Sequence, residues 1–139
     1  MKFMMMMHAP RGTGDYQINS WKPEEFKAHI AFMMNYNKEL LAAGEFVAAE
    51  GLTPPGAARV VRGGAAGEPI TDGPFAETKE FLVGYWIIDV ESEQRAYALA
   101  AKASIRFLPT KHEIFAIRRI MSGFDCDRIN SRMTCLSWL

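Results

Sequence analysis

ITDGPFAETKEFLVGYWIIDV, residues Ile70–Val90, is the stretch that decides the fold. It opens on Asp72-Gly73-Pro74, a turn in which the aspartate caps its own backbone and Pro74 withholds an N–H from any ladder. A short charged segment with Glu77, Lys79 and Glu80 follows. Val83 to Val90 then alternates as a strand, with Val83, Tyr85 and Ile87 on one face and Trp86, Ile88 and Val90 on the other. Both faces are apolar, so both must be covered.

Working outward, Lys2 to His8 reads as a first strand, apolar without alternation as a centrally placed strand is. A helical start would have little room before Pro10 and Gly12. Ala9 to Lys22 is a polar loop. Pro23 fits the first helical position, and Glu24 and Glu25 put negative charge where the helix dipole favours it. The helix runs to about Ala43 with a stripe of Phe26, Ile30, Met33, Asn37, Leu40 and Leu41, and Gly44 closes it. His29 and Tyr36 edge that stripe on one side. His29 is either a boundary histidine half in water or a group pointing into a cleft between helix and sheet.

Glu45 to Gly51 is a strand, stopped by Thr53-Pro54-Pro55-Gly56. Arg59 to Arg62 and Glu68 to Thr71 form an exposed hairpin around Gly63, Gly64 and Gly67. Those glycines are not a phosphate loop, because no helix and no Lys-Ser/Thr follow them. Ser92 caps a second helix with a small-residue stripe of Ala96, Ala100 and Ala103, joined by Leu99. Pro109 breaks it, and Lys111 to Met121 alternates as a last, edge-like strand. Residues 1–121 make one domain, and Ser122 to Leu139 is a tail with no clean period.

The order is β-α-β, a hairpin insert, then β-α-β, which is the ferredoxin-like α+β arrangement with an antiparallel sheet. Two helices cover one sheet face. The other would expose an apolar patch on the order of several hundred Å2, so a second copy packing sheet on sheet is expected, giving a two-fold homodimer.

Bulk numbers narrow the partners. The chain has 139 residues, is 49% hydrophobic and balances 16 basic against 16 acidic residues, leaving no electrostatic footprint for nucleic acid or anionic membrane. Cys126 and Cys135 are too few for a disulfide framework and lack metal-finger spacing, which suits a reducing cytoplasm. The apolar run Phe3 to Met7 is too short for a signal peptide, and no stretch approaches the ~20 residues of a membrane span.

Thr71–Glu80 (TDGPFAETKE), the GYW-I-DV that follows, Pro23–Phe46 and Glu50–Val60 together resemble the DGPF subgroup of the YCII-related family, over about Lys2 to Met121. The resemblance implies a ferredoxin-like subunit forming a dimeric α+β barrel and says little about activity. Some YCII-related proteins carry a His–Asp site with the His on the first helix, and His29 matches that place. Their Asp stands in an Asp-Pro pair after the second helix. Here that region reads Phe107-Leu108-Pro109-Thr110, so a dyad would have to recruit Asp72 instead.

Asp72 is fully explained as a turn residue. As a functional group it would orient His29 and raise the imidazole pKa, allowing acid or base work near neutral pH. Glu77 and Lys79 read as a solvated turn, or Lys79 and the Phe75 to Thr78 backbone gather round a small anion. His8 would face the same cleft as His29. His8, Glu50 and His112 match no metal-ligand spacing, so no metal or other cofactor is expected. Two functions stay open. One is a cofactor-free enzyme on a small, aromatic or enol-bearing metabolite, with His29 and Asp72 catalytic and His8, Tyr36, Phe75, Glu77, Lys79 and Tyr85 at the ligand, Trp86 also lining the pocket. The other is a non-catalytic ligand-binding or regulatory, protein-interaction module, which the resemblance links to transcription regulation.

Overall fold

Side-chain alternation along one strand sorts the whole sheet. In the computed structural model, which describes residues 1–10, 21–73, 80–105 and 114–120, the elements are β1 (Lys2–Pro10), α1 (Pro23–Ala42), β2 (Phe46–Gly51), a 3-10 turn (Pro55–Ala57), β3 (Val60–Gly63), β4 (Pro69–Asp72), β5 (Glu80–Asp89), α2 (Glu93–Ile105) and β6 (Ile114–Arg119). The main sheet is antiparallel in the order β2-β5-β1-β6, and β3-β4 form a separate two-stranded sheet. This is a ferredoxin-like α+β fold with the hairpin inserted, as the sequence order predicts.

Phe3 pairs with Ile88 and Met5 with Trp86 across β1 and β5, and all four side chains are fully buried. They form the helix-facing side, continued by Met7 and by the flanking Phe46, Ala49, Phe115 and Ile117. Each such large apolar side chain contributes about 1.5–3 kcal/mol on leaving water. The opposite side carries Met4 beside Ile87 and Met6 beside Tyr85, each half-buried. The apolar second face is thus present, with these side chains half-buried. The alternation breaks at Val83: Met7 pairs with Gly84 and His8 with Leu82, so a bulge on β5 turns Val83 out of phase and buries it too.

β1 runs two residues beyond His8, to Pro10, and β5 begins at Glu80 rather than Val83, so the two strands reach further together than apolar pattern alone indicates. Gly84 lies under this bulge because a Cβ there would stand 3.0 Å from the Glu50 carbonyl oxygen.

α1 ends as a Schellman turn. Gly44 takes φ 70°, its N–H donates to the Leu41 carbonyl at 3.1 Å, and the Glu45 N–H reaches the Leu40 carbonyl at 2.9 Å. At the other end the Glu25 carboxylate accepts the Lys22 backbone N–H at 3.0 Å, half of a capping box. The buried stripe differs from the expected one. Tyr36 and Leu40 are buried and Phe32 and Met33 pack on the core, whereas Phe26, Ile30 and Leu41 are exposed. Two apolar stripes lie side by side on this helix, and the one that includes Tyr36 and Phe32 wins because aromatic rings fill the space above Trp86. Asn37, between the stripes, accepts the Trp86 Nε1 proton at 2.8 Å.

α2 follows the Ser92 cap, whose Oγ accepts the Arg95 N–H at 3.1 Å, and packs through Ala96, Leu99, Ala100 and Ala103. The two helices are joined by the Tyr36 hydroxyl donating to the Leu99 carbonyl at 2.9 Å and by Lys102 with Glu39, and a two-pronged Arg95–Glu45 pair at 2.7 and 2.8 Å ties α2 to the residue before β2. Among the described residues no helix is long and apolar enough to cross a membrane.

Candidate functional site

His29 lies on the second turn of α1, ahead of the tightly filled Phe32–Tyr36–Trp86 layer. Trp21, two residues before the helix, folds back so that its ring meets the His29 ring edge-on, with centroids 5.0 Å apart and planes at 76°. The ring contact leaves His29 half-buried with its Nδ1 shut off from solvent. Desolvation therefore lowers its pKa from 6.5, since burial penalises the imidazolium. The shift is opposite to the one expected from a neighbouring aspartate. Burial thus favours the neutral imidazole over the imidazolium.

Asp72 stands at the end of β4 in the small sheet, exposed, with its Oδ1 accepting the Gly73 N–H at 2.7 Å. That bond is the turn role read from the sequence. Phe75, Glu77 and Lys79 lie outside the described residues, as does His112.

Tyr36 is not at the margin of the helix face, where it was expected beside His29, but at its centre. It is 1% exposed, its hydroxyl is committed to Leu99, and burial pushes its pKa far up. Trp86 likewise belongs to the core, between Tyr36 and Phe115. His8 and Tyr85 fall on the other side of the sheet. Strand alternation puts His8 with Met4 and Met6, and the register puts Tyr85 beside Met6 and Glu50. His8 therefore does not share the α1 side of the sheet with His29. Among the described residues no three His, Cys, Asp or Glu side chains cluster as a metal site does.

Trp21 is the residue that sequence reading passes over, as part of a polar loop. The available signal was its place just before the Lys22 N-cap and Pro23, where a hydrophobic residue packs back on the first turns of a helix. Its Nε1 is withdrawn from solvent and has no acceptor among the described residues.

Fold and site together define a ferredoxin-like α+β protein with a shielded histidine on the first helix. The chain belongs to the YCII-related family, whose domain model matches residues 1–122. It is also similar to an uncharacterized protein of Rhizobium meliloti (strain 1021), at 32% identity over 100 residues, covering 71% of this chain and 81% of that protein.

Proposed function

We propose that this YCII-related protein is of the DGPF type and works in the cytoplasm as a homodimeric, cofactor-free enzyme that moves a proton on a small enolisable metabolite. The observation that carries the reading is the buried Nδ1 of His29 beside the Trp21 ring, a burial that lowers the imidazole pKa. A base poised below its solution pKa is uncharged at physiological pH and ready to take a proton without first losing one. Asp72 would serve to orient the imidazole, and Phe75, Glu77 and Lys79 would contact the ligand. Tyr36 supports the site from the core. His8 and Tyr85 belong to the other sheet face, where Met4, Met6 and Ile87 offer an apolar floor for the second copy.

The test is proton exchange in D2O. A panel of small ketones, lactones and β-diketones is incubated with the protein, and loss of α-C–H signal is followed by proton NMR. Wild type should exchange at least one compound, and His29→Gln should lose at least about a hundredfold in rate while keeping its fold. Equal exchange by both proteins contradicts the reading.

A second reading, a partner-binding module, is favoured by the projecting β3–β4 hairpin, where Val61 and Ile70 are 60% and 53% exposed. It requires one stoichiometric partner to be recovered with the wild type and lost with Val61→Ser/Ile70→Ser.

A further inference from the structure

We propose that Trp21 is a ligand-binding residue of the His29 site, its indole Nε1–H donating to the carbonyl or enolate oxygen of the bound molecule. An indole nitrogen is a donor only, so it can be satisfied by nothing but an acceptor. Here the N–H is withdrawn from water with no acceptor among the described residues. Buried donors are nearly always paired, and one left bare calls for an explanation. Trp21 shows this on the very ring that lies against His29, 5.0 Å between centroids. A donor and a neutral base thus sit side by side at the start of α1.

The inference rests on the acid/base reading for its chemistry. The α-C–H bond of a carbonyl compound breaks, its proton goes to an imidazole nitrogen of His29, and the electron pair moves through the new C=C bond onto oxygen. The enolate oxygen accepts the Trp21 N–H more strongly than the ground-state carbonyl does, so the donor favours the transition state. Return of the proton, or of deuterium from D2O, completes the cycle with nothing oxidised or reduced. The ligand class is a small neutral compound with an enolisable carbonyl.

The test uses cyclopentanone, γ-butyrolactone and acetylacetone as probes, with cyclopentane as the oxygen-free control. The Trp21 indole N–H resonance is assigned by its NOEs to the His29 ring. At least one carbonyl probe should move it downfield saturably and cyclopentane should not. Trp21→Phe, which keeps an aromatic ring against His29, should bind that probe about tenfold more weakly. If no probe moves the resonance, or if Trp21→Phe binds with wild-type affinity, the proposal is overturned. Should Trp21→Phe fail to fold, the wild-type resonance decides by itself. A saturable shift without α-exchange keeps Trp21 as a binding residue and removes the acid/base reading, whereas full exchange by Trp21→Phe does the reverse.

Discussion

The Trp21 indole meets the His29 imidazole nearly at right angles, 76° between planes with centroids 5.0 Å apart. Burial is what lowers the pKa of this histidine. An aspartate partner would raise the imidazole pKa, and desolvation lowers it.

Stability should carry the trace of that shift. In the unfolded chain His29 titrates near 6.5, and in the fold it titrates lower. Between those values the unfolded state binds more protons, so the contribution is fully present above 6.5 and is lost as pH falls from there toward the folded pKa. Urea unfolding of wild type and His29→Gln checks this. The wild type should lose more stability than the variant between about pH 8 and about pH 5, the other histidines cancelling in the comparison.

Tyr36→Phe should cost about 1 kcal/mol in the same measurement, the net worth of one buried hydrogen bond. The group lost is the donor to the Leu99 carbonyl, and the ring contacts with Phe32 and Trp86 remain. Arg95→Ala should cost about 1 kcal/mol, the upper end for an exposed pair, because Arg95 is 42% exposed but the Glu45 carboxylate it leaves is only 14% exposed.

Two glycines should fail for different reasons. Gly44→Ala meets no atom within 4 Å, so its loss is the strain of φ 70° alone, roughly 1–2 kcal/mol. Gly84→Ala puts a methyl 3.0 Å from the Glu50 backbone oxygen and should cost about 1–3 kcal/mol, with backbone shifts of Glu50 and Gly51 seen in amide spectra.

Most of the architecture was legible because β1 and β5 are apolar runs bounded by turn residues, as central strands are. The Val83–Val90 alternation located the sheet, and Ser92 with the alanine stripe located α2. α1 was placed correctly but rotated: Leu40 and Met33 of the expected stripe face the core, while Phe26, Ile30 and Leu41 are exposed and Phe32 and Tyr36 take their place, a choice that only packing makes. The site was less legible. His29 falls on the first helix as read, while Tyr36 sits in the core because helix packing chooses its face, and His8 lies on the far side of the sheet because strand alternation puts it there. Trp21 was overlooked because a contact between a residue before a helix and one on its second turn has no period to read.

Asp72→Asn separates turn from catalysis. The asparagine oxygen can still accept the Gly73 N–H, so stability should stay within about 0.5 kcal/mol. Exchange of an α-C–H compound should fall about tenfold or more if the carboxylate orients His29. An unchanged rate would leave Asp72 as a turn residue only.

The most direct measurement is an NMR titration of the three histidine rings, with His29 assigned by its absence in His29→Gln. The expected result is an inflection below 6.5 and an uncharged ring at pH 7. An inflection at or above 6.5 would mean a ring open to water or paired with a carboxylate, and would contradict a desolvated base beside Trp21.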